Sequence, residues 1–122
     1  MTASILTVDD SSSLRLAVRI ALTGAGYAVT EAGDGTEGLA KADAQKFDLI
    51  ITDLNMPRMD GLTMIREMRK RPKMAGVPIV FLTTESEDGL KAQAKAAGAT
   101  GWLVKPFNSE QLVKVARKVL GR

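Results

Sequence analysis

The strongest constraint on the fold is a regular alternation of short apolar runs with amphipathic stretches. The apolar runs predict strands at residues 4–9, 27–32, 48–53, 78–83 and 100–105. The amphipathic stretches predict helices at residues 11–24, 35–46, 61–71, 87–97 and 108–120. Strands that alternate with helices in this way predict an open parallel sheet with helices packed on both of its faces.

The composition of the strands predicts their order in the sheet. The first, third and fourth runs contain ILTV, LII and IVFL, as expected for strands buried on both faces, whereas the second alternates as an edge strand can. We therefore expect an α/β fold with a doubly wound, five-stranded parallel sheet of the flavodoxin-like (βα)5 type, in the order 2-1-3-4-5. No linker, repeat or low-complexity segment interrupts the chain, which predicts one domain over residues 1–122.

Residue content excludes several kinds of site. The chain contains no Cys and no His, so disulfides, thiolate metal sites and imidazole chemistry are impossible. The first 13 residues lack the charge and apolar pattern of a signal peptide, and we expect a cytoplasmic protein without membrane insertion. The basic run RKRPK at residues 69–73 has no interleaved aromatic residue, and we interpret it as a solvated helix end rather than a nucleic-acid site.

Polar side chains end several of the predicted strands. Ligands of such sheets bind outside the carboxyl ends of the strands, at the point where the strand order reverses. This rule turns scattered residues into one expected site, which contains Asp9, Asp10, Asp53, Thr83 and Lys105.

The expected site has the composition of a phosphoryl-transfer centre. Carboxylates that would repel one another predict a small divalent cation, and Mg²⁺ suits an all-oxygen site. With an ammonium and a hydroxyl nearby, Asp53 is the candidate nucleophile for a phosphoryl group. Taken alone, each residue has a simpler interpretation: Asp9 or Asp10 as a helix cap, Asp53 as a turn residue, Thr83 as an ordinary strand residue, and Lys105 as a surface lysine. Their combination carries the prediction.

The segments LTVDD, DLNMPRMDG, FLTTES and GWLVKPF, in this order and spacing, resemble receiver domains of two-component response regulators. The resemblance covers nearly the whole chain, and the single-domain chemotaxis (CheY-like) members are the most similar. It implies transfer of a phosphoryl group from a histidine kinase phosphohistidine to an aspartate, followed by self-catalysed hydrolysis. Such a protein is not a classical enzyme, because it catalyses only its own modification.

The resemblance also assigns roles around the metal. Asp53 corresponds to the phosphoacceptor and Asp10 to a direct Mg²⁺ ligand. Asp9 would act through a water molecule or as a partner of Lys105, and Asn55 would offer its backbone carbonyl to the metal.

The remaining roles concern switching and phosphoryl lifetime. Thr83 and Lys105 would each contact a phosphoryl oxygen, and Pro106 resembles a cis proline that helps to aim the lysine. Trp102 corresponds to an aromatic switch residue that is a tyrosine in the chemotaxis prototype, and Glu85, with Asn55, would flank the hydrolytic water.

The resemblance implies a chemotaxis-type histidine kinase as phosphodonor and output through helix 4, strand 5 and helix 5. We expect a monomer that binds a flagellar motor switch protein and is subject to a phosphatase. A phosphate sink, a receiver with another effector and a non-phosphorylated scaffold remain alternatives. A flavodoxin-like electron carrier fits poorly because the paired carboxylates would repel its phosphate, and an Asp phosphatase would need Asp-x-Asp where this chain has DDSSS.

Overall fold

The strands and helices lie within two residues of their predicted bounds. The computed structural model describes residues 2–54, 56, 58–84 and 88–121, with only the backbone of 88–90. The strands are β1 (Ser4–Val8), β2 (Ala28–Ala32), β3 (Leu49–Asp53), β4 (Ile79–Thr83) and β5 (Gly101–Val104). The helices are α1 (Ser12–Gly24), α2 (Gly35–Ala44), α3 (Gly61–Arg69), α4 (Asp88–Ala96) and α5 (Ser109–Leu120), with a 3₁₀ turn at Pro72–Met74. None of the helices in this part of the chain has the length and hydropathy needed to cross a bilayer.

The described strands form one parallel sheet in the order β2-β1-β3-β4-β5, which confirms the predicted order. In the register of this sheet, Val8 lies beside Thr52 and Thr83 lies beside Val104. The residues that follow β1 and β5 therefore emerge at the same edge as Asp53, the last residue of β3.

The hydrophobic core is divided between the two faces of the sheet. On one face, Ile5 packs in a cluster with Val18 of α1 and Leu112 of α5. On the other face, Leu6 packs in a cluster that includes Met64 of α3. Successive strand residues thus enter opposite clusters, and each buried side chain of this size stabilises the fold by about 1.5–3 kcal/mol. Burial on both faces explains the continuous apolar runs.

Four helices begin at a side chain that accepts a hydrogen bond from a backbone N–H of the first turn. The capping residues are Ser11, Asp34, Asp60 and Asn108. Each cap contributes about 1 kcal/mol. The helix ends were predicted less well: α2 ends at Ala44 instead of residue 46, and α3 ends at Arg69 instead of residue 71 because the 3₁₀ turn follows.

The basic run RKRPK makes internal contacts. The guanidinium of Arg69 donates to the carbonyl oxygens of Met74 (2.7 Å) and Gly98 (2.8 Å). Arg71 donates to the Asp43 carboxylate at 2.6 Å. The run therefore connects the end of α3 to α2 and to the turns that precede β4 and β5.

Candidate metal and phosphoryl site

The sheet brings Asp9, Asp10, Asp53 and Lys105 together at one edge. One carboxylate oxygen from each of the three acids lies within 4.8 Å of the others. The Nζ atom of Lys105 lies 3.1 Å from Asp53 Oδ1 and 3.6 Å from Asp9 Oδ2. Asp9 and Asp53 are buried, while Asp10 is exposed. The result is an acidic cup that opens to solvent beside Asp10.

Asp53 is held at the end of β3 by contacts with one of its oxygens. Asp53 Oδ1 accepts hydrogen bonds from the backbone N–H of Leu54 (2.9 Å) and from Lys105. The loop after Asp53 returns to the strand, since the N–H of Gly61 donates to the carbonyl of Leu54 at 2.8 Å. A Cβ at Gly61 would collide with the Asp53 carbonyl and stand 2.8 Å from a ring carbon of Phe81. This close approach requires glycine.

Asp9 carries a buried charge that is incompletely paired. Its Oδ1 accepts a hydrogen bond from the N–H of Ser11 at 2.9 Å, whereas Oδ2 is buried without a hydrogen-bond partner among the described residues. Burial raises the pKa of the Asp9 carboxyl, and the neighbouring Asp53 and Asp10 raise it further; the Ser11 N–H and the Lys105 ammonium act in the opposite direction. The three carboxylates of the cup therefore carry more negative charge than the Lys105 ammonium can neutralise.

The geometry of the cup fits a small divalent cation. Its donors are all carboxylate oxygens, which Mg²⁺ prefers, and the exposed side at Asp10 leaves room for the water molecules that Mg²⁺ retains. Asp9 Oδ2, buried without a hydrogen-bond partner among the described residues, is available to such a cation or to one of its water molecules. The remaining metal residue expected from sequence, Asn55, lies outside the described residues.

The threonine and lysine of the predicted site are joined through the main chain. Thr83, buried at the end of β4, accepts a hydrogen bond at its carbonyl from the N–H of Lys105 at 2.7 Å. The peptide bond between Lys105 and Pro106 is cis. Glu85, the expected tuning residue two positions past Thr83, lies outside the described residues.

Trp102 lies on β5, on the face of the sheet that packs against α4. Its ring is half-buried and meets Phe81 edge-to-face, with the ring centroids 5.9 Å apart. The Nε1 atom is buried without a hydrogen-bond partner in the described part of the chain. Beside the ring is a cavity of about 260 Å³ that Lys91 and Lys95 of α4 also line.

Two arginines near the site were not predicted from sequence. Arg15 of α1 donates from Nη1 to the main-chain carbonyl of Asp9. Arg58 lies 3.2 Å from Asp34 Oδ2 and has a φ of 67°, which is unusual for a residue other than glycine. The sequence does mark Arg15 as unusual, because a cation near the N-terminus of a helix is opposed by the positive end of the helix dipole. No comparable signal marks Arg58.

Comparison with known families assigns the chain to a family. Residues 5–117 match the response regulator receiver domain. The chain belongs to this family. As a receiver domain, it has the acidic pocket in which members of the family bind Mg²⁺, and it is of the class that interacts with histidine kinases.

Relatives with and without further domains are similar to this receiver domain. The chemotaxis protein CheY of Pseudomonas aeruginosa is 34% identical, over 97% of this chain and 96% of the relative. The transcriptional regulatory protein ResD of Bacillus subtilis is 36% identical over 97% of this chain, but the receiver domain spans only 48% of that protein's length.

Solved structures agree in the backbone. The chemotaxis protein CheY4 of Vibrio cholerae is 48% identical, with a TM-score of 0.95 over 98% of this chain and 99% of the other. The receiver domain of the sensor histidine kinase PA1611 of Pseudomonas aeruginosa is 30% identical, with a TM-score of 0.91 over the full length of both chains. That structure contains a magnesium ion coordinated in the active site cleft.

Proposed function

We propose that this receiver domain accepts a phosphoryl group on Asp53 from the phosphohistidine of a histidine kinase, in a reaction that requires Mg²⁺. The observation that carries the proposal is the position of the Asp53 carboxylate, 3.1 Å from the Lys105 ammonium and within 4.8 Å of oxygens of Asp9 and Asp10. A buried carboxylate in such a site is a nucleophile surrounded by groups that can hold a metal and neutralise phosphoryl oxygens.

The contacts of Asp53 indicate which oxygen reacts. Leu54 and Lys105 both contact Oδ1, so Oδ2 is the oxygen that these contacts leave available. Asp53 Oδ2 would attack phosphorus, the bond between phosphorus and the histidine nitrogen would break, and the electron pair would return to the imidazole. Asp9, Asp10 and Asp53 would hold Mg²⁺, whose positive charge would stabilise the phosphoryl oxygens.

Lys105 and Thr83 have complementary parts in this proposal. The Lys105 ammonium would pair with a second phosphoryl oxygen while retaining Asp53 Oδ1, and the Thr83 hydroxyl would donate to another. Asn55 would add its carbonyl to the Mg²⁺ ligands, with Asp9, Asp10 and Asp53 as the acidic ligands. Hydrolysis of the acyl phosphate would be self-catalysed, with its rate set in part by Glu85.

The output is proposed to be chemotactic. The similarity to chemotaxis proteins over nearly their full length supports this, as does the Trp102 cavity on the surface formed by α4 and β5. The partner would be a flagellar motor switch protein in the cytoplasm. The alternatives are a phosphate sink and a receiver with another effector; the second is consistent with ResD, of whose length the match covers only 48%.

Mass spectrometry and fluorescence test the phosphoacceptor proposal. The full chain is incubated with a small-molecule acyl phosphate, with and without Mg²⁺, and the emission of Trp102, the single tryptophan, is followed. We expect Mg²⁺-dependent addition of one phosphoryl group in the wild type, and none in Asp53→Asn. Asp48→Asn, at the opposite end of β3, is the matched control and should react like the wild type.

Absence of the added mass in the wild type would contradict the phosphoacceptor role and favour a scaffold. The output is tested separately, by capture with protein activated by beryllium fluoride. Retention of a motor switch protein supports the chemotactic output, and retention of a kinase alone supports a phosphate sink.

A further inference from the structure

The four polar groups of Asp9 have very unequal surroundings. Its N–H donates to the carbonyl of Ala32 at 3.1 Å, and its Oδ1 accepts from the N–H of Ser11. Its main-chain carbonyl accepts a hydrogen bond from Arg15 Nη1. Only Oδ2 remains without a hydrogen bond in the described chain, with Lys105 at 3.6 Å. Three contacts therefore fix the residue so that its fourth polar group is directed into the acidic cup.

The contact from Arg15 is itself held in place by β2. Arg15 Nε donates to Glu31 Oε1 at 3.3 Å, and the other oxygen of Glu31 accepts from Arg19 Nη1 at 3.1 Å. Glu31 precedes Ala32, the residue whose carbonyl binds the Asp9 N–H. The planar guanidinium can donate in two fixed directions at once, which an ammonium cannot do. Arg15 thereby joins α1, the end of β1 and the end of β2.

The location of Arg15 favours a role beyond surface pairing. A cation close to the N-terminus of a helix is opposed by the positive end of the helix dipole. An exposed ion pair contributes little and would only offset this cost. The Arg15 side chain is 21% exposed, and its guanidinium binds the residue that contributes a carboxylate to the cup.

We propose that Arg15, held by Glu31, is a positioning residue that orients the Asp9 carboxylate toward Lys105 and the Mg²⁺ site. The inference rests on the proposed function in one respect, namely that the site binds Mg²⁺. Arg15 acts as the outer support of an acidic metal residue, and removal of such supports typically weakens metal affinity 10–100-fold.

Arg15→Gln and Arg19→Gln test the inference as a matched pair. Both variants remove a partner of Glu31, but only Arg15 contacts Asp9. Isothermal titration of the full chain with Mg²⁺ should give about tenfold weaker binding for Arg15→Gln, and a change within about twofold for Arg19→Gln. Arg15→Lys should be intermediate, because its ammonium reaches either Glu31 or the Asp9 carbonyl but not both.

A second readout needs no metal. The Ser11 N–H is bound to Asp9 Oδ1, so its hydrogen-exchange rate reports the orientation of that carboxylate. In Mg²⁺-free protein, Arg15→Gln should accelerate exchange at Ser11 severalfold, and Arg19→Gln should not. If Arg15→Gln does not fold, Glu31→Gln replaces it, with the same direction of change expected at Ser11.

A purely structural role predicts a different pattern. Arg15→Gln would then lower the midpoint of urea unfolding but leave both the Mg²⁺ affinity and the Ser11 exchange unchanged, and this result would overturn the inference. Wild-type protein that binds no Mg²⁺ would instead contradict the proposed function. The Ser11 measurement still decides the orientation of Asp9 in that case, so the two failures are distinguishable.

Discussion

Replacing Asp9 by Asn should stabilise the protein when no Mg²⁺ is present. The Asp9 carboxylate is buried, its Oδ2 has no hydrogen-bond partner in the described chain, and it shares the Lys105 ammonium with Asp53. Asn at this position has nearly the same size and removes the charge. Lys105 would keep its shorter contact, to Asp53 at 3.1 Å.

The distances give the expected magnitude. At an effective dielectric constant of about 20, Lys105 attracts Asp9 across 3.6 Å by about 5 kcal/mol, and Asp53, within 4.8 Å, repels it by about 3.5 kcal/mol. Exposed Asp10 adds only about 1 kcal/mol of repulsion because water screens it. These terms nearly cancel, so the desolvation of the buried charge, which Asn would relieve and which costs about 1–3 kcal/mol, decides the sign. Asp9→Asn should increase the free energy of unfolding by about 1–3 kcal/mol.

Urea and thermal unfolding at neutral pH measure this difference. For a chain of this length, 1 kcal/mol shifts Tm by about 4 °C, so a rise of about 4–12 °C is expected. Mg²⁺ at ten times its dissociation constant for the wild type should stabilise the wild type by about 1.4 kcal/mol. Asp9→Asn, which lacks one of the acidic ligands, should be stabilised less, and the difference between the two proteins should narrow.

The stability difference should also depend on pH. Because the pKa of Asp9 is raised in the folded state, its destabilising effect appears as the pH rises through that pKa. The gap between Asp9→Asn and the wild type should therefore close as the pH falls toward about 4, the range in which the unfolded carboxyl titrates. Asp48→Asn, which loses the same charge at the other end of the sheet, should show no stabilisation. Lower stability of Asp9→Asn at neutral pH without Mg²⁺ would refute the reasoning.

Two further substitutions test the supports of the fold. Gly61→Ala should destabilise the protein by about 2 kcal/mol or more in urea unfolding, because the added methyl group would overlap the Asp53 carbonyl. Gly24 has open space around it, so the control Gly24→Ala should be neutral or stabilise the protein by up to about 1 kcal/mol. Arg69→Met should lower the free energy of unfolding by about 1–3 kcal/mol, because the carbonyls of Met74 and Gly98 lose their donor. Relative to the wild type, hydrogen exchange should become faster around Gly98 but not around Ala3.

The sheet and its functional edge were predictable because they follow from local patterns and one general rule. The apolar runs of β1, β3 and β4 predict strands that are buried on both faces. The strand order then places Asp9, Asp53 and Lys105 at one edge of the sheet. The cap Asn108 is likewise a local feature, because its side chain accepts from the backbone N–H of Gln111, three residues away.

Contacts between distant segments were not predictable in the same way. The basic run suggested a solvated helix end, but Arg69 reaches Gly98, which is 29 residues away. The hydrogen bond from Arg15 to the Asp9 carbonyl depends on side-chain rotamers rather than on spacing. Arg58 adopts a φ of 67° in a loop where local preference would place glycine, and local preference is only a weak guide there.

The separation of the core into two clusters assigns the reactive groups by parity. Ile51 packs toward α1 and α5, so Asp53, two residues further along β3, shares that side. Thr83 follows Phe81 by two residues and therefore shares the opposite side with Trp102. A one-residue insertion inside β3 would reverse the side of Asp53 without altering any side chain. A change of a single residue in the length of β3 would therefore be enough to displace Asp53 from the acidic cup.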